Sequence, residues 1–235
     1  MLTNKKWMKS LAFFVVILML VDLYFVFFYS PPEKYMGHVQ KIMYFHISSA
    51  WVAFISFFIV FVMSIVFLIK KYDMCDRIAI TCAEIGVLFT TFVLFTGPLW
   101  ARPVWNTWWT WDPRLTTTLI LWFIYVGYIL LRKTTGNHIT GKKVAAVFGI
   151  IGFLDVPIIH LSVKWWRSIH PSEVVSGGGM SMTPEMQITL IVSIITFLFI
   201  GLFLFSIRYK LETLLSQYFD LDLTQSIQDR KEKLS

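Results

Sequence analysis

Charge is what this sequence has least of. Of 235 residues only 15% are Asp, Glu, Lys or Arg, whereas 57% are hydrophobic. A water-soluble domain of this size carries about a quarter charged residues. The shortage excludes a soluble fold built around one buried core. Cysteine is nearly absent too: Cys75 and Cys82 are the only two. One falls in a short basic connection and the other inside the adjoining apolar run, which excludes a structural disulfide. The Gly177-Gly178-Gly179 run lacks a following Gly-Lys-Ser/Thr, so it reads as a flexible stretch and not as a phosphate loop. The first apolar run, Leu11 to Phe28 behind Lys5, Lys6 and Lys9, has no small-residue cleavage site, and it reads as a retained helix. Internal repeats, low-complexity tracts and a large soluble segment are also missing.

What is present is a series of apolar runs, each near the roughly 20 residues that cross a hydrocarbon layer about 30 Å thick. They predict an all-α, polytopic membrane protein, a single domain over 1–235 with six helices at about 10–29, 46–69, 78–97, 115–131, 144–163 and 187–207. The formal charge of +7 would suit nucleic acid. Here the basic residues sit in short clusters between spans, so they report topology and no nucleic-acid partner is expected. With both termini in the cytoplasm, the inner segments hold 15 Lys and Arg and the outer loops 6. That is the asymmetry of a chain oriented by its positive residues. The expected surroundings are membrane lipid, with residues 208–235 as a cytoplasmic tail and residues 98–114 outside.

Those outer residues are the most unusual part of the chain. Trp100, Trp105, Trp108, Trp109 and Trp111, five of the ten tryptophans, fall within twelve residues, flanked by Arg102 and Arg114 and followed by Asp112. One reading is an aromatic belt, because indoles gather at bilayer interfaces. A belt would be spread over many helix ends, however. The alternative is a shelf: indole faces suit a flat hydrophobic ligand, and their N–H groups can donate to its polar edge. Arginine forks on either side suit carboxylates. Asp112, just before Pro113, either fixes one arginine or caps the next helix, and the sequence favours the cap.

Two histidines flank this segment on the same expected face. His46 stands where the second span begins and His170 in the last outer loop. A lone loop histidine is more often a solvated or capping group. Two neutral imidazoles beside an indole shelf instead suit the iron of haem. No Cys-x-x-Cys-His occurs, so covalent attachment to this chain is excluded. His38 is expected to be solvent-exposed, His138 lies on the opposite side, and His160, after Pro157, reads as a structural histidine. Asp22, Glu84 and Asp155 fall inside spans, where an acid is costly enough to be a functional candidate. None has a basic partner at helical spacing. Asp155 reads as a helix-packing or kink-satisfying group beside Pro157, with a proton pathway as the lesser reading.

The stretch WNTWWTWDPRLT resembles the tryptophan-rich WGxWWxWD motif of the haem-handling proteins of cytochrome c maturation. The short six-helix branch, CcmC, is the most similar, from the first outer loop to the sixth helix. TGPLW, the HISSAW segment at His46 and SVKWWRSIH before His170 extend the likeness. The resemblance implies that His46 and His170 are axial ligands of a transient, non-covalent haem b. It implies a haem platform of Trp105, Trp108, Trp109, Trp111 and Asp112. It further implies a multi-pass protein of the bacterial inner membrane that presents haem to the periplasmic chaperone CcmE, beside the ATP-binding-cassette subunits CcmA and CcmB and the small protein CcmD. Two positions depart from the pattern. Asn106 replaces the usual glycine, which puts close backbone approach in question. Ile47 and Ser48 replace a common Val-Pro, which would relax the start of the second helix.

Four functions compete at this stage. The leading one is a non-enzymatic haem-binding and delivery protein. A haem lyase acting on apocytochrome, a haem-containing redox subunit and a purely structural scaffold are the others. A redox subunit predicts histidine pairs at membrane depth, and the spans contain none.

Overall fold

A computed structural model gives the architecture and describes residues 5–135, 138–166, 168, 170 and 182–234. Helix α1, Lys5–Tyr24, continues as a wider turn over Phe25–Tyr29; a short tight helix, His38–Lys41, then leads into α2, Ile42–Lys70. Next come α3, Asp73–Trp105; α4, Pro113–Thr135; α5, Ile139–Phe153; α6, Asp155–Trp165; and α7, Pro184–Leu234. Since α5 and α6 form one continuous span, six helices among the described residues are long and apolar enough to cross a membrane. The protein is all-α, as its hydropathy predicts. The Gly177-Gly178-Gly179 run and Arg167 lie outside the described residues.

Local chemistry sets the helix ends. Lys71 adopts a left-handed conformation with φ 59°, and its N–H donates to Phe67 O at 2.8 Å, closing α2. Asp73 and Asp76 then open α3, where acids oppose the positive end of the helix dipole. The third helix does not end near 97, where its apolar run is expected to close. Helix α3 continues through Pro98 and Pro103 to Trp105, each proline removing one backbone hydrogen bond without ending the helix. The tryptophan segment is therefore helical up to Trp105. The fifth span does break: Leu154 N–H turns to Ile151 O at 3.1 Å, and α6 restarts at Asp155, two residues before Pro157.

Helix α2 is the centre of the bundle, packing on α3, α5 and α7. Phe57 is fully buried, stacked on Tyr125 at 3.9 Å. Its other edge needs Gly86: a Cβ there would stand 2.4 Å from the Phe57 ring. Outward, Phe13, Leu20 and Phe28 are exposed. On a soluble protein such a surface would aggregate, whereas lipid accepts it.

The acids inside the spans find partners that are far away in sequence. Asp22 accepts a hydrogen bond from the Ser193 hydroxyl at 2.6 Å, tying α1 to α7. Glu84 is held by the Arg208 guanidinium, one arm of it at 2.9 Å, and the same arginine reaches Glu212 at 2.9 Å. Glu84 thus has no basic partner at helical spacing, as expected, and takes its cation from the sixth span. Asp155 opens α6, where its charge opposes the helix dipole. Its buried Oδ2 meets no hydrogen-bond partner among the described residues, so that oxygen does not satisfy the backbone freed by Pro157.

Candidate functional site

His46 lies one turn into α2, which begins at Ile42, earlier than the hydropathy suggested. Ile47 and Ser48 are therefore interior helix residues and do not loosen its start. The imidazole rests in a notch on α3. Its Nδ1 lies 2.9 Å from the Thr96 hydroxyl. Beside it, a Cβ added to Gly97 would come 3.6 Å from the ring's Cε1. One turn on, the Trp100 indole meets the imidazole edge-on at 6.0 Å between ring centres.

Trp100 is nearly buried, and its N–H points at the Met36 thioether, 3.4 Å away. Met36 belongs to a folded turn in the first loop. There the Glu33 carboxylate accepts the amides of Tyr35 and Met36 at 2.8 and 2.6 Å, and Gly37 takes a positive φ of 56°. This loop covers Trp100 from above. Neither Thr96 nor Met36 is singled out by sequence reasoning, although the threonine stands in the TGPLW segment.

Helix α3 ends at Asn106, whose φ of 55° is left-handed. That explains the glycine usual at this position. The constraint is helix termination, which glycine meets without strain and asparagine better than most residues. Arg102 turns its guanidinium onto Asn106, donating to the backbone oxygen at 2.8 Å and also to the side-chain oxygen. The same guanidinium lies over the Trp108 ring at 5.9 Å. We expect Asn106→Gly to unfold within about 1 kcal/mol of the parent. Asn106→Val should lose roughly 1–2 kcal/mol, because a β-branched residue resists the left-handed region. Thermal unfolding of the purified protein in detergent measures both.

Asp112 is buried and caps α4, its Oδ1 accepting the Arg114 N–H at 2.9 Å. The same oxygen lies 3.5 Å from His170 Nδ1. Asp112 therefore caps the helix and stands beside the histidine, whose buried Nδ1 makes no hydrogen bond among the described residues. The His170 N–H donates to the Ser168 hydroxyl at 3.0 Å, and its ring meets Trp105 at 5.7 Å between centres. Burial, then the Arg114 charge, hold the His170 imidazole below its ordinary 6.5, and Asp112 only partly offsets them.

The site residues expected from sequence thus fall into four sets. His46 joins Trp100; His170 joins Trp105 and Asp112, with Arg114 alongside; Trp109 and Trp111 contact one another edge-on at 5.9 Å, Trp111 being exposed. Both histidines bear on indoles of one helix end, five residues or about 7.5 Å of rise apart, and His46 lies within electrostatic reach of His170 and Arg114. Arg102 and Trp108 pair with each other and touch neither imidazole. His38 is exposed, as expected, and His160 is exposed instead of structurally bonded.

The family model described as CcmC: Heme exporter protein C matches residues 1–221. A Heme exporter protein C of Bradyrhizobium diazoefficiens is 35% identical over 204 residues, covering 86% of this chain and 77% of that protein. The Heme exporter protein C of Haemophilus influenzae is 34% identical over 204 residues, covering 86% and 83%. A putative cytochrome c biosynthesis ccmC-like mitochondrial protein of Marchantia polymorpha is 32% identical over 214 residues, or 91% of both chains.

Proposed function

The chain belongs to the heme exporter protein C family, and from that membership we propose that it binds haem b transiently and non-covalently at one end of its bundle and presents it for cytochrome c maturation. The observation that carries the reading is the pairing of each candidate ligand with an indole of the same helix end, His46 with Trp100 and His170 with Trp105. The residues suit the cargo. Two imidazoles supply nitrogen ligands for iron. Trp108, Trp109 and Trp111 supply flat apolar faces. Arg102 and Arg114 are the cations for propionate carboxylates.

In this reading the tryptophan segment, 98–114, faces outside the cytoplasm of a bacterial inner membrane. Both termini, with the tail from 208, lie within. The receiving protein is the chaperone CcmE, and CcmA, CcmB and CcmD are the partners in the membrane. The protein is a delivery component and not an enzyme. Its residues bind and orient the cargo, and release needs only that an acceptor replace one imidazole.

The test is the haem content of detergent-purified protein. The parent is expected to show the absorption of haem held by two imidazoles, and His46→Ala and His170→Ala should each lose it. Unchanged haem in both variants would remove the assignment. Covalent transfer of haem to a Cys-x-x-Cys-His peptide by this protein alone would make it a lyase instead.

A further inference from the structure

We propose that Thr96 is a positioning residue for His46: its hydroxyl fixes the imidazole with the proton on Nδ1, so that Nε2 is the nitrogen offered to haem iron. This rests on the haem-ligand reading above for the role of Nε2, but the tautomer itself does not.

A threonine hydroxyl has one hydrogen and two lone pairs. Thr96 Oγ1 lies 2.8 Å from Phe92 O, one turn back in α3, and 3.4 Å from Val93 O. A carbonyl oxygen only accepts, so a 2.8 Å contact between two oxygens requires the hydroxyl hydrogen to lie between them. That hydrogen is then spent. The remaining contact, His46 Nδ1 at 2.9 Å, holds only if Nδ1 carries a hydrogen and donates it. A neutral imidazole has one N–H, so Nε2 is left with its lone pair. Had the hydroxyl hydrogen gone to His46, Nε2 would carry the proton and could not coordinate.

Thr96 is itself buried, and so cannot exchange its partners for bulk water. Gly97 lies against the ring as well, where an added Cβ would make ordinary van der Waals contact with Cε1. The ring plane is then fixed from two sides, by the hydroxyl at Nδ1 and by Trp100 at the edge. Ligating histidines are generally held in this way, through the nitrogen that does not bind metal. His46 sits on the helix at the centre of the bundle, so a fixed ring there gives a ligand of fixed direction.

Two measurements test this. Nitrogen NMR of protein carrying labelled histidine and no haem should show His46, assigned by loss of its signal in His46→Ala, protonated at Nδ1. Protonation at Nε2 overturns the inference. With haem added, Thr96→Val keeps the side-chain shape but accepts no hydrogen bond. It should bind haem roughly 10- to 100-fold more weakly, lose the two-imidazole spectrum, and regain that spectrum when imidazole is supplied in solution. Thr96→Ser should behave as the parent. Should the valine variant fail to fold, Thr96→Ala against Thr96→Ser carries the same contrast. An unchanged spectrum and affinity in Thr96→Val, with loss in His46→Ala, removes the role of Thr96 alone. Retention of the two-imidazole spectrum in His46→Ala removes the ligand reading, leaving the tautomer to the NMR.

Discussion

Arg132→Met is expected to destabilise the protein by about 3–5 kcal/mol. Arg132 and Asp76 are both nearly buried, and the guanidinium grips the carboxylate with two hydrogen bonds, at 3.1 and 2.5 Å. Lys142 extends the cluster, 2.7 Å from Asp73 and 3.9 Å from Asp76. The pair joins α3 to α4, and Lys142 brings in α5, at the end of the bundle away from the histidines. Removing the guanidinium leaves the Asp76 carboxylate beside a single partially engaged ammonium, without water to solvate it. The cost therefore comes from the charge left behind more than from the bonds lost. Replacing both partners by apolar residues of similar size, Asp76→Leu with Arg132→Met, should recover most of the loss. Thermal unfolding in detergent of the two single variants and the double variant measures the coupling. Additive effects would mean that the two side chains do not act as a pair.

Such pairs mark where the sequence stops being legible. Apolar runs display the spans, because composition over twenty residues is a local property. The cap at Asp112 is legible for the same reason, since its signal lies in the next few residues. Partners across spans are not. Asp22 meets Ser193, Glu84 meets Arg208 and His46 meets Thr96, and a hydropathy pattern records that a helix is buried without recording against which neighbour. Hydropathy also misplaces the end of the third span. The apolar run closes near 97, yet α3 runs on through Pro98 and Pro103 and carries Trp100 and Trp105 on one helix. That extension places an indole beside each histidine, where a loop would have left their relation open. The Asn106 position shows the reverse: the motif's glycine suggested a close approach to a ligand, whereas φ at this residue shows a helix terminus.

Asp112→Asn separates the two tasks of that side chain. Asparagine caps helices about as well as aspartate, so stability should stay within a few tenths of a kcal/mol of the parent at neutral pH. Asp112→Ala should lose about 1 kcal/mol, the usual cost of a missing cap. Haem affinity divides the variants differently. In the proposed site the carboxylate is the group beside His170 Nδ1, 3.5 Å away, and partners of ligating histidines typically contribute about 10- to 100-fold in affinity. Both variants should therefore bind haem more weakly by that factor, although only one has lost a cap. Titration with haem, followed by absorption, reads this directly, and parental affinity in Asp112→Asn would confine Asp112 to capping. The pH profile of stability adds an independent sign. In the fold, His170 is held below its ordinary 6.5, first by burial and then by Arg114, with Asp112 opposing both. Between that lowered value and 6.5 the unfolded chain binds the extra proton, so this contribution to stability is present above 6.5 and is lost as pH falls through the interval. Taking away the carboxylate removes the opposing influence and lowers the folded value further. The acid-side loss in Asp112→Asn should then begin at the same pH as in the parent, where the unfolded histidine titrates, but continue to lower pH and reach a greater depth.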